Sequence, residues 1–162
     1  MTTPRRASRG DAIFHYNLDP GQRVSVAKRL VNPSLLAARL FRLAASEAKA
    51  PHLIGRWLCI FLFSSDVSRG ARFEGPIDLP HPVGITIGTG AIVGPRVRIY
   101  QNVTIGSSRA GLYPRIGEGV TIYSNAVVAG GLTVGDGAVI GANCTVTQNV
   151  PERSVVRSLP IA

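Results

Sequence analysis

Residues 116–146 read IGEGVT-IYSNAV-VAGGLT-VGDGAV-IGANCT-V, so a branched aliphatic opens every block of six: Ile116, Ile122, Val128, Val134, Ile140 and Val146. The same beat runs ahead of one longer loop through Val93, Ile99 and Ile105. A helix would need apolar residues recurring at three and four. Here the aliphatic and the residue four later repeat as a pair, and Gly, Asn or Asp between them supplies turn geometry. Strands that turn after every six residues make a three-sided coil of eighteen, and stacked coils pair their backbones at about 4.8 Å. The expectation is a mainly β protein built as a parallel β-helix, its aliphatics filling the prism.

Before Val93 the beat persists in another phase. Val67, Phe73, Leu79 and Ile85 are spaced by six, and the step to Val93 is eight. The repeats therefore occupy residues 66–162. Repeats alone leave a rigid, non-catalytic scaffold as one possible function.

At 162 residues the chain supports one domain with an appendage and a useful core. Few aromatics suit an interior of Val, Ile, Leu and Ala. Cys59 and Cys144 show no metal or redox spacing, and two buried thiols fit a reducing cytosol, so a cytoplasmic protein is expected. Arg5, Arg6 and Arg9 are followed by Asp11 before any apolar run, which is not a signal-peptide pattern. The apolar run from Leu58 to Phe63 falls short of the roughly 20 residues that cross a bilayer, so no integral membrane segment is expected.

The formal charge is +9, and residues 1–65 hold ten basic and three acidic residues. Nucleic-acid binding would want a basic stripe with interleaved aromatics, and neither that nor a known motif is present. An anionic cofactor or a membrane surface could use the charge; a solvated basic face is the simpler reading. Within this first segment, Val24–Leu30 and Leu35–Ala50 read as helices, the second with apolar Leu36, Leu40, Leu43 and Ala44, and with Asn32-Pro33 as cap and first turn. A third helix is expected from Pro51 to about Phe63. Residues 1–65 thus form a basic segment and short α-helical cap, in which the apolar face of the third helix lids the open end of the first coil.

Of three histidines, His15, His52 and His81, only His81 lies in the coils. A catalytic zinc site takes three protein ligands, so no metal site is expected there. His81 stands in LPHPVGI (79–85), a repeat-breaking stretch, fifteen residues after Asp66. In an eighteen-residue coil that offset returns to the same side of the prism, so the two could meet. A carboxylate that takes one imidazole N–H leaves the other nitrogen as a base. Equally, His81 could be a loop residue and Asp66 a cap at the coil entrance.

The hexad pattern resembles that of the left-handed β-helix acyltransferases, and the left hand is implied by that resemblance. Asp66, the fifteen-residue gap, His81, the Gly84-Ile85 pair, the eight-residue step and the run IYQNVTIG (99–106) together resemble serine acetyltransferase. The resemblance implies an Asp66–His81 catalytic dyad and direct acetyl transfer from acetyl-CoA. It implies coenzyme A contacts at Gly106, Ser107, Ser124 and Ala142, with the cofactor between two subunits of a homotrimer. General-base help of this kind is typically worth about 10² to 10⁴ in rate.

Departures from the family concern the acceptor. Pro80 stands where an acid usually precedes the histidine, Leu112-Tyr113 replaces an Arg-His pair, and the Gly106–Arg115 loop is shortened. Tyr113 could face the acceptor with its hydroxyl or pack against the loop. The expected function is O-acetylation of L-serine or a similar small hydroxy amino acid. A sugar or other secondary-metabolite hydroxyl is the alternative acceptor, and the inactive scaffold is the alternative of another class.

Overall fold

Small residues and asparagines that accept a left-handed backbone set the corners of this fold. A computed structural model describes residues 4–18, 25, 31–108 and 111–158. Each hexad contributes a strand of two or three residues. Fourteen strands, β1 (Asp66–Val67) to β14 (Val155–Val156), close into three parallel sheets, one per prism face. The first face carries β1, β4 (Thr86–Ile87), β7 (Thr104–Gly106), β10 (Val127–Ala129) and β13 (Thr145–Val146). The second carries β2 (Arg72–Phe73), β5 (Ile92–Val93), β8 (Arg115–Ile116) and β11 (Thr133–Val134). The third carries β3 (Ile77–Asp78), β6 (Val97–Ile99), β9 (Thr121–Ile122), β12 (Val139–Ile140) and β14.

Register shows how closely the eighteen-residue coil is kept. Thr86 faces Thr104 and Val127 faces Thr145, each one regular coil apart. Val93, Ile99, Ile105, Ile116, Ile122, Val128, Val134 and Ile140 are all buried, and so are Val97, Val103, Val120, Ala126, Leu132, Ala138 and Cys144, each four residues after one of them. Asn102, Asn125 and Asn143 stack at one corner with φ of 58°, 60° and 59°. The Asn102 amide donates to Asn125 Oδ1, and the Asn125 amide to Asn143 Oδ1, each at 3.1 Å. Asparagine tolerates this backbone because its short amide can bond locally.

The irregular first coil is placed differently from the sequence expectation. Asp66 faces Thr86 and Val67 faces Ile87, a coil of twenty residues. Ile77 faces Val97, so the two extra residues lie between Leu79 and Ile87, not after Ile85. Both Ile85 and Ile87 are buried. Periodicity misplaces the shift because a hexad has two inward positions, and Ile85 occupies the second. The expansion is therefore the Pro80-His81-Pro82 corner itself.

Three helices with described bounds precede the coils: α1 (Pro4–His15), α2 (Pro33–Ala44) and α3 (Lys49–Phe63). The helix expected over Val24–Leu30 lies outside the described residues apart from Ser25. Asn32 caps α2 as expected, its Oδ1 accepting from Leu35 N–H at 3.1 Å. The second helix ends at Ala44 instead of Ala50, because Pro51 sits in the first turn of α3. Proline has no N–H and clashes with the carbonyl four residues back, so the break must fall well before it. The buried side of α2 is Leu35, Ala37, Ala38, Leu40, Phe41 and Ala44, while Leu36 and Leu43 are half-buried.

Helix α1, which periodicity did not suggest, is held by a buried carboxylate. Arg42 donates to both oxygens of Asp11 at 2.7 and 2.9 Å, and Ile77 N–H donates to Oδ1 at 2.9 Å. Burial raises the Asp11 pKa, against the opposing pull of Arg42. His15 lies 2.6 Å from Asp78, which Arg98 also binds at 2.7 Å. Only a narrow side of α3, Gly55, Cys59 and Phe63, is buried. All three helices touch the first coil, α1 and α2 at β3 and α3 at β1, and much of the apolar surface of α3 faces outward.

Candidate active site

Proline on both sides fixes the backbone at His81, and the expanded corner carries its side chain out to solvent. Three hydrogen bonds staple this corner to the entrance of β1. Ser65 Oγ donates to Pro82 O at 3.2 Å, Ile85 N–H donates to Ser65 Oγ at 3.0 Å, and Gly84 N–H donates to Phe63 O at 3.0 Å. Ser65 is fully buried and is the residue before Asp66. His81 and Asp66 therefore flank the same Ser65–Pro82 bond on adjacent turns.

Their side chains are not joined. Both oxygens of Asp66 are taken by Arg56, from Nε at 2.7 Å and Nη2 at 2.8 Å. This bidentate contact raises the Arg56 pKa. The described neighbour of His81 is Tyr100, with ring centroids 6.2 Å apart, and Tyr100 stacks on Tyr123 at 4.9 Å and 20°. An aromatic column thus runs from the histidine down the outside of two further coils. Beside it, Gln101 Oε1 is buried without a hydrogen-bond partner. Sequence reading quoted Tyr100 and Gln101 within the run at 99–106 but gave neither of them, nor Tyr123, a role. Their signal was the 23-residue offset of Tyr100 and Tyr123, one coil plus the long loop.

The other expected positions divide between two edges of the first face. Asn143 N–H donates to Ser124 O, which stacks Ala142 over Ser124 at the corner that also holds His81. Gly106 ends β7 at the opposite edge, where Gly130 N–H donates to its carbonyl, and Ser107 is exposed next to it. One chain therefore brings Ser124 and Ala142 toward the His81 corner and keeps Gly106 and Ser107 apart from it. Tyr113 packs: its ring covers Gly88 and Gly90 so closely that a Cβ on either would come within 2.5 Å of it. Those glycines are needed for that approach. Among the described residues, no group of three His, Cys, Asp or Glu side chains is placed to hold a metal ion, and no helix is long and apolar enough to cross a membrane.

These coils and corners define a hexapeptide-repeat protein, and residues 113–148 match the family model for bacterial transferase hexapeptide (six repeats). Over 132 residues the chain is 33% identical to a probable serine acetyltransferase 3 of Oryza sativa subsp. japonica, covering 77% of this chain and 44% of that protein. A Staphylococcus aureus (strain Mu50) serine acetyltransferase is 34% identical over 103 residues, covering 62% and 48%. Among solved structures, the serine acetyltransferase of Vibrio cholerae O1 biovar El Tor superposes with a TM-score of 0.84 at 30% identity, covering 98% of this chain and 64% of that one. A Neisseria gonorrhoeae serine acetyltransferase in complex with serine gives 0.77 at 28% identity, covering 99% and 68%. The fold is the left-handed β-helix of those structures. The chain is similar to the serine acetyltransferase-like hexapeptide-repeat family. It spans less than half the length of the curated relatives named here.

Proposed function

We propose that this protein is an acetyl-CoA-dependent O-acetyltransferase whose acceptor is L-serine or a similar small hydroxy amino acid. The observation that carries the reading is an exposed histidine on a rigid, two-residue expansion of the coil, stapled beside Asp66. His81 takes the acceptor hydroxyl proton on one ring nitrogen while the oxygen attacks the thioester carbonyl carbon. The tetrahedral adduct collapses with cleavage of the carbon–sulfur bond, and the imidazolium returns its proton to the coenzyme A thiolate. Atoms and charge balance without a metal or covalent enzyme intermediate.

Asp66 acts as the orienting carboxylate by exchanging Arg56 for His81. The exchange is cheap, because Arg56 and Asp66 side chains are 44% and 37% exposed and such pairs contribute about 0 to 1 kcal/mol. The coenzyme A arm lies along small residues, with Ser124 and Ala142 from one copy and Gly106 and Ser107 from the next copy in a homotrimer. Their separation on a single chain supports a site shared between copies. Two free, buried thiols, Cys59 and Cys144, favour a cytoplasmic setting.

A sugar hydroxyl is the second reading. It is favoured by the Tyr100–Tyr123 column, since a sugar ring can lay its C–H face on an exposed aromatic, and Tyr123 is 41% exposed. Release of free coenzyme A thiol from acetyl-CoA, measured with L-serine, L-homoserine and a panel of pyranosides, tests both. Release with a hydroxy amino acid is the expected result. Release with pyranosides alone overturns the serine reading, and no release with any acceptor overturns the enzyme.

A further inference from the structure

Helix α3 has a second apolar face that the core does not use. Gly55, Cys59 and Phe63, spaced by four, turn inward. On the outward side stand Leu53, Ile54, Trp57, Phe61 and Leu62, each more than half exposed and Phe61 82% exposed. Trp57 and Phe61, one turn apart, hold their rings 6.4 Å from each other. Such a cluster of exposed apolar side chains on one helix marks an interaction site.

The patch is continuous with a basic cavity. Leu53 also lines a space of about 440 Å³ whose other walls are Lys49, His52, Arg56, Ser68, Arg69 and Thr89. No acid lines it. Arg56 is paired with Asp66, but among the described residues neither Lys49 nor Arg69 has an ion-pair partner. His52 uses Nδ1 on the Ala44 carbonyl, which leaves Nε2 as its free nitrogen. Two acids lie beside the cavity wall: Asp66, held by Arg56, and Glu47, which shares an adjoining space with Arg69.

We infer that α3 and this basic rim form a surface that docks the protein on bilayers containing anionic phospholipid. An interfacial helix presents Trp, Phe and Leu to the acyl boundary and cations to the headgroups, and basic groups near an anionic surface each add attraction within a Debye length. Both halves of that requirement sit on one element here. The net charge of +9 acts in the same direction. Two-fold pairing of α3 faces fits less well: it would oppose Lys49, Arg56 and Arg69 with their equivalents, and residues 49–63 contain no acid to meet them.

Trp57 is the only tryptophan, so its emission reports on this surface alone. The full-length chain is mixed with vesicles of phosphatidylcholine alone or of phosphatidylcholine and phosphatidylglycerol in equal parts, and followed by cosedimentation and by Trp57 fluorescence. Binding to the anionic vesicles with a blue shift of Trp57, lost at high salt, is expected. Phe61→Glu, and separately Lys49→Glu with Arg69→Glu, should each weaken partitioning by about tenfold or more without altering the circular dichroism spectrum. Absence of binding to anionic vesicles overturns the inference, as does equal binding to both vesicle types. Two further outcomes do the same. One is Trp57 becoming shielded by concentration-dependent self-association while vesicles do not bind. The other is saturable binding of inorganic phosphate without vesicle binding.

Discussion

Arg56 holds Asp66 with two charge-assisted hydrogen bonds, yet both side chains remain open to water. Screening by solvent keeps such a pair from contributing much, so Arg56→Ala should shift the urea unfolding free energy by less than about 1 kcal/mol. The same variant should keep acetyl transfer, because His81 then faces no competitor for Asp66. Cys59 is the opposite case. It is fully buried, and burial together with the negative charge of Asp66 pushes its thiol up to about 12. At pH 8 about one molecule in ten thousand carries the thiolate, so peptide mapping after maleimide treatment should find Cys59 unlabelled in the folded protein and labelled in urea. At this scale the sequence named His81 as the one histidine within the repeats and Asp66 by its fifteen-residue offset and the family resemblance. It could not foresee Arg56, since a salt bridge from a helix onto the first coil follows from packing and not from spacing.

Among the elements, α2 and α3 cross where Gly55 lies against the backbone of Leu43 and Ala44. A Cβ there would come within 2.7 Å of the Leu43 carbonyl carbon and closer still to the Ala44 nitrogen. Backbone cannot yield as a side-chain tip can, so Gly55→Ala should destabilise by about 1 to 3 kcal/mol, read as a lowered thermal midpoint. The repeats were legible as strands because each hexad carries its own turn residues and its own inward pair. The caps were legible only in part. Asn32-Pro33 announced the start of α2, whereas Ala45–Ala48 offers no breaker at the point where it stops. Helix α1 was hidden for a different reason: it is fixed less by an apolar stripe than by Asp11 and His15 reaching Arg42, Ile77 and Asp78.

Across the whole molecule, one continuous core links Phe41 and Phe63 of the helices to Val146 and Val150 of the last coil. Ile122 stands midway, between Ile99 and Ile140 on neighbouring coils. Removing its side chain leaves a void that neighbours anchored in parallel ladders cannot close, so Ile122→Ala should cost about 2 to 5 kcal/mol in denaturant unfolding. The stack is rigid, and that rigidity lets an exposed corner hold a base in place. The most direct test of the proposed chemistry is acetyl-CoA-dependent turnover of His81→Ala beside the wild type, on protein whose thermal midpoint is unchanged. With the acceptor that the wild type uses, turnover should fall by about 10² to 10⁴. Full activity in His81→Ala would contradict the account.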